Sequence, residues 1–157
     1  MKAATSNEIK QGLKGLSSAS LIELCLRLAR FKKENKELLT YLLFEADDLE
    51  TYIRHVKEEV DEQFREVNTS SIYFAKKTIR KILRIVNKHI RYTGSKQAEA
   101  ELLIYYSTKL KALKVFFRKS NVLDKLLDAQ VKKIRAAIDT MHEDLQYDYI
   151  KALEELL

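Results

Sequence analysis

Residues 70–119 read SSIYFAKKTIRKILRIVNKHIRYTGSKQAEAELLIYYSTKLKALKVFFRK, and this stretch decides the fold class. At about 100° per residue, Ile72, Ala75, Ile79, Ile82, Leu83, Val86 and Ile90 fall on one side of a helix. Lys77, Arg80, Lys81, Arg84, Lys88 and Arg91 fall on the other. The spacing predicts an amphipathic helix over 70–92, closed by Thr93-Gly94, where glycine suits a left-handed cap. Ser95 opens a second helix. There Leu102, Leu103, Ile104, Tyr105 and Tyr106 are consecutive, so the segment is apolar nearly all round. A helix of that kind is covered by neighbours on several sides. It is expected to form the centre of the core, with Leu102, Leu103, Tyr105, Leu113 and Phe117 buried.

Outward from this pair, the same period continues in both directions. Upstream, Leu42, Ala46, Leu49, Ile53, Val56 and Val60 alternate steps of four and three, with Val67 one heptad on, the spacing of a heptad seam. One long helix over 35–67 is the expectation, capped by Asn35, with a kink near Ala46-Asp47-Asp48 because aspartate suits a helix start better than its interior. Before it, Leu21, Leu24, Leu28 and Phe31 define a helix entered at 17–20 and ending near Lys33, with Cys25 read as a small core hydrophobe. Residues 1–16 are polar and partly frayed, with a short helix near 7–13. Downstream, Leu123, Leu127, Ile134, Ile138, Met141, Leu145, Tyr149 and Leu153 predict helix over 122–153, broken near Thr140.

The chain has 157 residues, three glycines and no proline. Pro and Gly punctuate turns, so their scarcity argues for long helices and against a β fold. The expected architecture is all-α: one domain over 1–157, an antiparallel helical bundle or short α-α superhelix of five to six helices. A single cysteine excludes an internal disulfide. No apolar run approaches the ~20 residues that span a bilayer, and the first fifteen residues lack the apolar centre of a secretion signal. A cytoplasmic protein, off the membrane, is expected.

Several segments carry a resemblance. Leu13-Lys14-Gly15-Leu16-Ser17, Leu21-Ile22-Glu23-Leu24 and Lys32-Lys33-Glu34-Asn35-Lys36-Glu37 are similar to those of a family of bacterial all-helical proteins, a domain of unknown function. Ala75-Lys76-Lys77 with Ile79-Arg80-Lys81 resembles that family's basic segment, and residues 102–106 its apolar one. The likeness is firmest over 13–45. It implies an all-helical fold and transfers no site residue.

Catalytic and cofactor chemistry finds no foothold in the sequence. His55, His89 and His142 lie far apart, and no His-Glu-x-x-His or cysteine set offers a metal site. Three scattered glycines build no phosphate-cradling loop, and no Gly-x-Ser-x-Gly elbow occurs. Carboxylate neighbours such as Asp47-Asp48 and Glu58-Glu59 diverge by about 100° on a helix and read as solvated surface. No enzyme, no cofactor and no metal is the expectation.

Charge is the remaining clue. Residues 69–121 hold thirteen lysines and arginines against Glu99 and Glu101, a net +11, while residues 1–68 net −2 and 122–157 net −3. The face of Lys77, Arg80, Lys81, Arg84, Lys88 and Arg91 is therefore the candidate binding surface. It is open to three uses. It can pair within the chain with the acidic stretch 47–66, notably Glu58, Glu59, Asp61, Glu62 and Glu66. It can dock an acidic protein partner, in a chain that can equally self-associate along a seam. As the alternative, it can bind nucleic acid through phosphates, without sequence preference.

Overall fold

The computed structural model describes residues 1–118 and 120–157; Lys119 lies outside the described residues. It is all-helical, and among the described residues no strand forms. Those residues make eight α-helices: α1 Ser6–Lys14, α2 Ser18–Phe31, α3 Lys33–Phe44, α4 Leu49–Arg65, α5 Ile72–Thr93, α6 Lys96–Leu113, α7 Val122–Ile138 and α8 Glu143–Leu156. A 3₁₀ turn, Lys114–Phe116, follows α6. The expected count of five to six is corrected upward. None of these helices is long and apolar enough to cross a membrane. By its internal contacts the chain divides into two compact units, Met1–Phe44 and Glu45–Leu157.

The additional helices arise from identifiable caps. The seam expected to run unbroken over 35–67 is interrupted, because the Asp48 carboxylate accepts the Thr51 N–H at 3.0 Å and starts α4 afresh. An N-cap of this kind satisfies a donor that an incoming helix would otherwise leave orphaned. Leu42 and Ala46, read as seam positions, are consequently exposed. Asn35 does not cap α3. It lies inside the helix and its Nδ2 donates back to the Leu28 carbonyl at 2.8 Å, tying α3 to α2. At the far end α7 stops at Ile138, and His142 caps α8.

In the unit 1–44, α2 and α3 form a hairpin. Tyr41 is its only buried residue among the described ones. Cys25, expected in a core, is exposed, and so is Phe31 at 76%. The helical period was real, but Leu24, Leu28 and Phe31 on the face it marks are exposed.

In the unit 45–157, α6 packs on α4, α5, α7 and α8. Its buried side is Leu102, Leu103, Tyr106, Ser107 and Leu110. Tyr105, Leu113 and Phe117, expected in the core, are half-buried. One step along a helix turns a side chain by about 100°, so Tyr106 points inward, its hydroxyl donating to the Ile79 carbonyl at 3.2 Å, while Tyr105 sits at the margin. That burial pushes the Tyr106 phenol far above its ordinary range.

Gly94 closes α5 at φ 59°, its N–H donating to the Ile90 carbonyl at 3.1 Å. An added Cβ there meets nothing within 4 Å, so the penalty for a side chain is purely conformational. Gly94→Ala should lower stability by about 1–2 kcal/mol in denaturant melts, and Gly94→Asn by less, because asparagine tolerates the left-handed region.

Candidate functional site

The orientation of α5 is fixed by Ala75, Ile79, Ile82 and Val86, all completely buried. This aims the opposite arc at solvent. Lys77, Arg80, Lys81, Arg84 and Arg91 are exposed. Among the described residues, none of these five has a carboxylate within ion-pairing reach. Lys88 is different: it is half-buried, with its ammonium 5.9 Å from the centre of the Tyr92 ring.

For the five exposed cations, pairing with the acidic stretch 47–66 does not occur. Asp61 instead holds Lys109 of α6 at 2.8 Å, and Glu59 lies 3.0 Å from His89 Nε2. Glu58, Glu62 and Glu66 are exposed. The acids of α4 either brace the core side or face solvent, and among the described residues those five cations have no internal counter-ion.

Between α5 and α7 lies an open groove of about 670 Å³. Lys76, Lys77, Arg80 and Arg84 rim it, and Tyr73, Leu83, Asn87 and Leu126 complete its lining. No carboxylate is among these residues. Of the six cations singled out from the sequence, three converge here, Lys77, Arg80 and Arg84. Lys81, Lys88 and Arg91 lie outside the lining. The sequence reading missed Lys76, which sits at the border of the apolar arc, although the four-residue repeat Lys76, Arg80, Arg84 was visible. It also missed Leu126, which α7 supplies from far along the chain.

The rim cations repel one another. Lys76–Arg80 and Arg80–Arg84 are like-charged pairs four residues apart, an arrangement that destabilises a helix by roughly 0.2–0.5 kcal/mol each. An anion seated in the groove would relieve that repulsion. The groove thus sets several positive charges beside apolar surface.

Two polar clusters elsewhere serve the fold. Tyr52 places its hydroxyl 2.7 Å from His89 Nδ1, while Nε2 of the same ring meets Glu59. Both ring nitrogens are engaged within the protein, so the ring offers no lone pair to a metal or substrate; it clasps α4 to α5. Around α6, Lys57 lies 2.6 Å from Glu101, whose second oxygen accepts the Tyr149 hydroxyl at 2.9 Å. The pKa of that hydroxyl is pushed up to about 12, first by burial and then by the Glu101 carboxylate. Among the described residues no three His, Cys, Asp or Glu side chains group as a metal site.

Burial works to raise the Asp61 carboxyl, but Lys109 and Tyr105 outweigh it and hold it below the usual carboxylate range. A depressed carboxylate stabilises the fold above its unfolded pKa of about 3.9 and loses that contribution as pH falls through the folded value. Stability measured between about pH 6 and pH 3 should therefore decline on the acid side, and Asp61→Asn should flatten that decline.

No family model, no curated protein and no solved structure matches this chain, so the site stands on its own residues.

Proposed function

We propose that this is a non-enzymatic interaction protein of the cytoplasm whose α5–α7 groove receives an acidic, partly apolar segment of a partner protein. The observation that carries this reading is the groove itself: four cations around Tyr73, Leu83 and Leu126, with no carboxylate in the lining. An amphipathic helix with acids three and four residues apart presents carboxylates about 5–6 Å from one another. Lys76, Arg80 and Arg84 repeat at that same interval. Charge complementarity speeds encounter and sets register, and the apolar floor adds the contact area that holds the segment. An antiparallel bundle over 45–157 is the scaffold we infer, rigid enough to present the face preformed. An exposed free thiol at Cys25 accords with a reducing compartment.

A second reading rests on Tyr73, which is 70% exposed at the mouth of the groove. A tyrosine beside cations is a stacking platform for bases, and the 22 residues of α5 span about 33 Å, enough to follow several phosphates. Binding of this type would be indifferent to sequence.

Titrations with a labelled acidic amphipathic peptide and with single-stranded and duplex DNA, each at two salt concentrations, separate the two. The primary reading expects the peptide to bind and a scrambled peptide of equal charge to bind more weakly, because the apolar floor demands register. The nucleic-acid reading expects log affinity for duplex to fall with log salt at about −0.9 per phosphate neutralised. If neither ligand binds at low salt, both readings fall.

A further inference from the structure

The unit 1–44 carries a second surface, independent of the basic groove. Its α2–α3 hairpin has an open groove of about 530 Å³, with Leu26, Ala29, Leu39, Leu43 and Phe44 in its lining. Ile22 lies one turn before Leu26 on the same face. Ile22, Leu26, Leu43 and Phe44 are 59, 42, 63 and 79% exposed. Helices of 14 and 12 residues are marginal in isolation. On α2 the apolar positions Leu21, Ile22, Leu24, Leu26, Leu28 and Phe31 cover about 220° of the circumference. A single neighbour covers roughly half of that, so the pattern is that of a helix with two.

We infer that this face is a homodimer interface, in which the hairpins of two copies pack antiparallel across a two-fold axis. Three observations favour a second copy as the occupant. The first is charge. Glu23 and Arg30 lie seven residues apart on one edge of α2, beside the apolar stripe. Arg30, Lys32, Lys33 and Lys36 crowd the end where α2 turns into α3, with Lys33 already paired to Glu37 at 3.6 Å. Glu23 lies two turns before Arg30, nearer the start of α2. Antiparallel apposition of two α2 helices about an axis passing between these residues lays Glu23 of each copy near Arg30 of the other, as an isologous contact requires. The second is area. At about 100 Å² apiece, the four exposed apolar side chains supply roughly 400 Å², close to the apolar share of the ~800 Å² per partner in a standard interface. The third is completeness: two two-helix hairpins make a four-helix unit, which gives each helix its second neighbour.

Sedimentation equilibrium of the full chain from about 1 to 200 μM tests this. A reversible dimer is expected. Because Leu43 is exposed in the single chain, Leu43→Glu should keep its helical circular dichroism and raise the dimer dissociation constant more than about a hundredfold. Two charge variants test the antiparallel register. Glu23→Arg and Arg30→Glu should each dimerise poorly alone, and an equimolar mixture should recover a heterodimer. The proposal is overturned if the wild-type chain stays monomeric at 200 μM, if Leu43→Glu still dimerises, or if the mixture fails to associate. A monomer that instead sediments with anionic phospholipid vesicles would assign the face to a membrane surface and likewise overturn it.

Discussion

Leu103→Ala should cost the 45–157 unit roughly 3 kcal/mol, within the ~2–5 kcal/mol range of buried leucine truncations. Leu103 is completely buried on α6, and α6 packs on four other helices. A cavity there is walled by several elements at once, so collapse of one side chain or backbone segment cannot fill it, and the residual void adds to the lost transfer energy. Against a total stability of ~5–15 kcal/mol the loss is large. It should appear in urea melts as a lower midpoint with an unchanged slope. Leu113→Ala supplies the contrast: Leu113 is half-buried at the last turn of α6, where the chain tightens into the 3₁₀ turn, and should lose under about half as much. Equal losses at the two positions would show that α6 is not the centre of this unit.

That contrast marks where the sequence stops being legible. On α5 the apolar and basic residues separate so cleanly that its rotation and all of its expected exposed face but Lys88 could be read from the spacing alone. On α6, five consecutive apolar residues carry no phase. Only the neighbouring helices decide that Tyr106 turns in and Tyr105 turns aside, and they come from distant parts of the chain. The break before α4 was half visible. Ala46-Asp47-Asp48 flagged a kink, yet the seam ran on through Leu42 and Ala46, because periodicity registers a repeat and not the capping bond that ends it. In α2, Leu24 and Leu28 kept helical time, but period alone cannot say whether the face it defines is covered. The basic groove follows the same logic. Lys77, Arg80 and Arg84 were legible as one stripe. Its floor was not, since Leu126 arrives only when α7 has packed.

Reversing the rim with Lys77→Glu, Arg80→Glu and Arg84→Glu should weaken binding of the acidic segment more than about a hundredfold, or ~2.7 kcal/mol. The three side chains are exposed, line the groove and, among the described residues, have no internal counter-ion, so the change converts attraction into repulsion where the proposed segment would sit. Lys88 is left intact because its ammonium packs over Tyr92, and altering it would confound binding with folding. The fold should survive. Position 77 then carries an acid four residues before Lys81, and position 84 carries one four residues before Lys88. Both are favourable helix pairs worth roughly 0.2–0.5 kcal/mol each. The melting temperature should accordingly hold or rise slightly while affinity collapses, the trade expected of a surface kept for binding at some expense of stability. A Lys81→Glu, Arg91→Glu chain makes the control: it reverses two cations, against three, outside the groove lining and should lose under about tenfold, chiefly in association rate. If the triple variant binds the peptide as well as wild type does, the groove is not the site. If both variants lose equally, the interaction senses overall charge and the apolar floor plays no part. If the peptide never binds and the triple variant abolishes DNA binding instead, the cations serve phosphates, and Tyr73→Ala should then weaken single-stranded binding by ~1–3 kcal/mol, the contribution of one stacked base.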